Sequence, residues 1–154
     1  MDELQIPTRS VAVEIVTDSG QTLAGSLFMA ETRYTTGSPE EVVEVLNDER
    51  GFIPFRLEKG PSRGRDVVLN KDHILRVRLR VAKPAAPTPA TPGATPTVLH
   101  LSDGTRLEGC IAVDTPWASS RLLDKLNQEF RFIPLIRDDG GYEFVHRAHV
   151  VRLD

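Results

Sequence analysis

The sequence carries one pattern twice. Gly20, Leu23, Gly25, Leu46-Asn47, Glu49, Phe52-Ile53-Pro54, His73 and Arg76 recur in order as Gly104, Leu107, Gly109, Leu126-Asn127, Glu129, Phe132-Ile133-Pro134, His149 and Arg152. The offset between the two series steps from 84 to 80 to 76, so the second copy lacks four residues in each of two places. Identity held in register and broken only by loop-sized deletions is the mark of a duplicated folding unit. Units this small cover only about 60% of the surface their unfolded chain exposes. The copies are therefore expected to support each other, either as an intramolecular pseudo-dimer or as a homo-oligomer.

Periodicity names the elements inside each copy. Val11, Val13 and Ile15 alternate with Ala12, Glu14 and Val16, the period of two of a half-buried strand. Asp18-Ser19-Gly20 and Ser102-Asp103-Gly104 are hairpin turns between such strands. Gly25 and Gly109 fall in mid-strand, where glycine permits a sharp bend or a close backbone approach. Ser38-Pro39-Glu40-Glu41 supplies an N-cap, a proline at the first helical position and acids at the positive end of the helix dipole. Val42, Val45 and Leu46 then share one helical face, as do Leu122, Leu123 and Leu126. Asn47 and Asn127 end these helices, where asparagine tolerates left-handed backbone. Phe52-Ile53-Pro54 and Phe132-Ile133-Pro134 begin short strands, and two more strands follow in each copy. Phe52, Phe132 and Phe144 are expected in the core.

The expected fold is mainly β, with two tandem, strongly bent, five-stranded antiparallel sheets closed as small barrels. Each has one short helix between its second and third strands. The first barrel spans residues 10–81 and the second 97–154. Between them, residues 82–96 are rich in proline, alanine and threonine and read as a semi-rigid linker.

The run Val98-Leu99-His100-Leu101-Ser102-Asp103-Gly104-Thr105-Arg106-Leu107-Glu108-Gly109 resembles the first signature of Sm-like small barrels, a relative of SH3-like barrels. An alternating strand meets an Asp-Gly turn and then a second strand bent at a glycine. Val13 to Gly25 has the same layout, with Ser19 in place of the aspartate. The resemblance implies the small barrel fold. Sm-like proteins usually begin with a helix and carry an arginine-glycine turn. Here the helix follows the second strand, and Asn70-Lys71-Asp72 and His146-Arg147-Ala148 occupy that turn. Ring assembly and uridine recognition are not carried over with the fold. Leu-Asn followed by Phe-Ile-Pro-Leu is also similar to uncharacterised bacterial domains, which bring no activity with them.

The repeated residues are glycine, leucine, asparagine, phenylalanine, isoleucine, proline, histidine and arginine, a set suited to shape. A duplicated active site would repeat a nucleophile, a base or a carboxylate pair. Motifs for an acyl-transfer serine, a phosphate loop or a dinucleotide fingerprint are missing. The chain is therefore expected not to be an enzyme. His73, His100, His146 and His149, with the single Cys110, do not compose a structural zinc set. No metal or cofactor is expected.

Charge, unlike core, is not repeated. Glu40, Glu41 and Glu44 begin an acidic stretch, while Arg56 to Arg80 holds eight basic residues against three acidic ones. The matching Leu135 to Asp154 holds three basic and four acidic residues. Arg76, Arg78 and Arg80 share one strand face, and Trp117 lies in a loop of the second copy. These residues, with Glu40, Glu41 and Glu44, are the candidate partner-binding positions.

The leading expectation is a non-catalytic protein-interaction module, an adaptor or scaffold. The alternative is a small RNA-binding protein using the basic Arg56–Arg80 face. A small enzyme or cyclic-nucleotide sensor ranks third; it rests on the Arg76-x-x-x-Arg80 spacing alone. The acidic start, the lack of a long apolar run and the lone cysteine point to the cytoplasm, away from membranes.

Overall fold

The computed structural model describes residues 8–30, 38–80, 94–112, 118–128 and 130–154. Most of the expected linker, and Trp117, lie outside the described residues. In chain order the elements are β1 (Thr8–Thr17), β2 (Thr22–Ala30), α1 (Pro39–Asn47), β3 (Phe52–Leu57), β4 (Asp66–Asn70), β5 (Ile74–Leu79), β6 (Ala94–Leu101), β7 (Arg106–Ala112), α2 (Ala118–Gln128), β8 (Phe132–Arg137), β9 (Tyr142–His146) and β10 (Val150–Leu153). Strand β6 starts at Ala94, inside the segment assigned to the linker from composition.

The protein is mainly β, and its strands form one open antiparallel sheet of ten in the order β10-β6-β7-β8-β9-β5-β1-β2-β3-β4. Each half of the chain follows the same internal order, with its fifth strand beside its first. The two separate five-stranded sheets expected from the repeat are joined into one. Strand β5 of the first half pairs with β9 of the second, in the register Arg76↔Val145, Val77↔Phe144 and Arg78↔Glu143. Strands β4 and β10 are the outer edges; β4 pairs with β3 and β10 with β6.

The local devices act as their chemistry requires. Gly20 and Gly104 both sit at φ +90°, the left-handed turn position that glycine takes without steric cost. A Cβ on Gly25 would fall on the carbonyl oxygen of Arg56, and one on Gly109 on that of Ile136. Both glycines thus allow the second strand of each half to cross close over the third. Ser38 caps α1 by accepting from the Glu41 amide at 3.3 Å, and Val42, Val45 and Leu46 are buried beneath the helix. A short 3-10 turn precedes the fifth strand of each half, at Lys71–His73 and Arg147–His149.

The buried apolar residues form two cores, and neither stays within one half. The first gathers Val13, Ile15, Leu46, Ile53 and Phe55 with Phe132 and Phe144 from the second half. The second gathers Leu99, Leu107, Ile111 and Leu135 with Leu75 from the first half. Phe52, expected inside, is 58% exposed. It starts β3 close to the outer edge strand β4, whereas Phe132 starts β8, which lies beneath α1 at the junction. Among the described residues no helix is long and apolar enough to cross a membrane.

Candidate functional site

The most heavily built region of the molecule is the junction where β5 meets β9. Glu143 is fully buried there. Its carboxylate accepts from Arg76 Nη1 at 2.7 Å and from Arg137 Nη1 at 3.0 Å, with Arg78 Nη1 at 4.0 Å. Arg78 also donates to Asp139 at 2.6 Å, and Arg131 to Asp72 at 2.6 Å. The Arg131 guanidinium holds Asp72 below the usual carboxylate range. A buried carboxylate is tolerable only when paired and hydrogen-bonded in this way.

Helix α1 is fixed over the junction by two side chains. Asn47 donates from Nδ2 to the Phe132 carbonyl at 3.1 Å and accepts from the Phe132 amide at 2.6 Å. This is a different role from the left-handed end expected of it, and every described residue with positive φ is a glycine. Lys71, fully buried, donates from Nζ to the Val45 carbonyl and to Asp48 Oδ1, both at 2.8 Å. Burial pulls the Lys71 ammonium below its ordinary pKa, with Asp48 opposing. Burial also pushes Asp48 up, but bonds from Arg50 and Lys71 outweigh it and hold that carboxylate low. Arg147 does the matching work for α2, donating to the Leu126 carbonyl at 2.9 Å. Pattern reading did not select Lys71 and Arg147; their signal is a shared positive charge two residues before each repeated histidine.

Histidine chemistry at the junction is structural. The His146 ring packs edge-on against Phe132, with centroids 4.8 Å apart, and its Nδ1 accepts from the Ala148 amide at 3.1 Å. Its buried Nε2 has no hydrogen-bond partner among the described residues; Asp72 Oδ1 is 3.8 Å away. Burial, reinforced by His149 and Arg131, brings its pKa down to about 4. His149 Nε2 donates across the junction to the Asp72 carbonyl at 3.2 Å, and His73 Nδ1 meets Asp18 at 2.8 Å. Among the described residues no three His, Cys, Asp or Glu side chains converge as a metal set.

The sequence-selected positions scatter over this framework. Arg76 and Arg78 lie in the junction, and Arg80, at the end of the same strand, donates to Glu58 at 2.9 Å. Each of the three arginines thus faces an acid, and the row is not an unopposed cationic strip. Glu40, Glu41 and Glu44 lie on α1.

The surface feature that pattern reading missed is apolar. Among the described residues the exposed large hydrophobics are Phe52, Val68, Leu123 and Val151. Phe52 and Val68 sit at the β4 edge, Val151 sits on the β10 edge, and Leu123 lies on α2. Between α2 and β10 runs an open groove of about 480 Å³, lined by Leu126, Ile133, Val150, Val151 and Leu153. Exposed apolar side chains thus lie beside the unpaired backbone of both outer strands. No family model, curated protein or solved structure matches this chain.

Proposed function

We propose that the chain is a tandem duplication of a small, strongly bent five-stranded unit of barrel type, and that it acts as a non-catalytic protein-interaction module in the cytoplasm. The observation that carries this reading is the placement of exposed apolar side chains. Phe52 and Val68 lie at one outer edge, and Val151 lies on the other outer strand beside a groove that reaches α2. An exposed strand edge with apolar neighbours recruits a partner by adding to the sheet, with backbone hydrogen bonds for affinity and side-chain pockets for specificity. Recurring residues such as Gly20 and Gly104, Gly25 and Gly109, and Ile53 and Ile133 build turns, bends and cores, and Glu143, Asp139 and Asp72 with their arginines hold the junction together.

RNA binding is the second reading. Arg76, Arg78 and Arg80 support it less than their number suggests, because Glu143, Asp139 and Glu58 already neutralise them. What favours it is the loop between β3 and β4, where Lys59, Arg63 and Arg65 are exposed. Crosslinking and affinity purification of the full chain from its native cell separates the two. Recovery of protein, reduced by Val68→Glu or Val151→Glu, supports the interaction module. Recovery of nucleic acid alone, with binding that weakens steeply as salt rises, overturns it in favour of RNA.

A further inference from the structure

We propose that copies of this chain dock head to tail, with β4 of one copy against β10 and the α2 groove of the next. This repeats between chains the β9–β5 junction that each chain contains. The inference rests on the duplication proposed above and names the partner of its exposed edges as a second copy of the same chain.

The support is a match of residue against residue. At the internal junction Phe132 and Phe144 are 0% and 1% exposed, and Leu75 is 1% exposed. Their repeat counterparts are Phe52, Val68 and Val151, exposed by 58%, 66% and 73%. Leu123, the fourth exposed large apolar residue among the described ones, corresponds to Val43, which packs against the first core. Among the described residues, each large apolar side chain left in solvent is therefore the counterpart of one that is buried or packed against a core in the other half.

The receiving surfaces match in the same way. In the first half, Leu46, Ile53, Ile74 and Val77 share one core with Phe132 and Phe144. The same repeat positions in the second half are Leu126, Ile133, Val150 and Leu153, and these line the open groove. Asn127, exposed at the end of α2, corresponds to Asn47 and is placed to take the Phe52 backbone of the next copy as Asn47 takes that of Phe132.

Charge is adjusted to suit. The Arg131–Asp72 pair that crosses the internal junction has Gly51 and Ala148 as its counterparts. The buried Glu143 has Val67, and Arg152, counterpart of Arg76, pairs with its own Asp154 at 2.9 Å. The contact between chains thus puts small or apolar residues where Arg131, Asp72 and Glu143 stand at the internal junction. The two arginines that also line the groove are engaged within their own chain, Arg152 with Asp154 and Arg147 with the Leu126 carbonyl. Because the two docking faces differ, the contact is heterologous, and it extends into a filament or closes into a ring.

Sedimentation velocity on the full chain across a wide concentration range tests this. Wild type is expected to gain mass in whole multiples of one chain. Val68→Glu and Val151→Glu, both on exposed side chains, are each expected to lose every species larger than a single chain. An equimolar mixture of the two is expected to form a one-to-one pair and nothing larger, since each variant retains the face the other lacks. Asn127→Ala serves if either charged variant fails to fold, and is expected to weaken assembly about thirtyfold for two lost hydrogen bonds. A wild type that stays a single chain at every concentration overturns the proposal, as does a mixture that does not pair. If that single chain still retains a native protein through Val68 or Val151, only self-docking fails. If it retains none, the interaction-module reading falls with it.

Discussion

His146 is held neutral by its surroundings. Burial lowers its pKa from 6.5 to about 4, with His149, Arg131 and Arg147 adding to the effect and Asp72 opposing it. The unfolded chain takes up this proton near 6.5 and the folded chain only near 4. Between those values the unfolded state binds more protons, so stability falls as pH drops through the window. The full loss, about 3 kcal/mol at most, is reached below the folded pKa. His146→Asn should flatten this dependence, because Asn70 fills the matching position in the first half and caps its turn in the same way. Asn70 accepts from the Asp72 amide at 3.0 Å, as His146 does from Ala148. Urea midpoints measured against pH check this, and a variant that keeps the wild-type slope contradicts it. Gly25→Ala is a second test at this scale. The added methyl would meet the Arg56 carbonyl and the Phe55 ring, and should cost about 3 kcal/mol in chemical denaturation. That close approach was legible in the sequence, since a mid-strand glycine repeated at one offset has few other uses. The buried charges were not, because whether Lys71 or Glu143 is buried depends on which element lies above it.

Among the elements, α1 shows how a local signal and a tertiary one divide the work. Ser38-Pro39-Glu40-Glu41 starts the helix by capping alone, and this could be read without any partner. The end of the helix could not, because Asn47 is satisfied by Phe132, 85 residues away in the chain. Asn47→Ala removes two hydrogen bonds at a partly buried site and should destabilise the isolated chain by about 2 kcal/mol. Asn127→Ala, at the matching position on α2, should leave the stability of the isolated chain within about 0.5 kcal/mol of wild type. Thermal or urea melts of the two variants under dilute conditions decide this, and equal losses would contradict the asymmetry. Phe52 and Phe132 begin identical tripeptides, so no local property foretold that one is exposed and the other buried.

At the scale of the whole molecule, the repeat shows what each half contains but is silent on which edges bond. The residues that make the junction specific, Glu143, Asp139, Arg131 and Asp72, are those in which the halves differ. Joining the halves has a thermodynamic consequence. Phe132 and Phe144 complete the core of the first half, and Leu75 completes that of the second. Neither half can unfold without exposing apolar surface of the other. Unfolding should therefore be a single two-state transition, with calorimetric and van't Hoff enthalpies equal. Phe144→Ala lies in the second half of the sequence and should cost about 3–5 kcal/mol. Because its ring shares one core with Val13 and Ile15, hydrogen exchange should accelerate in β1 as well as in β9. Two resolved transitions in calorimetry, or faster exchange confined to the second half, would show that the halves are independent domains that merely touch. A single transition that Phe144→Ala moves as a whole would show that the ten strands are one folding unit.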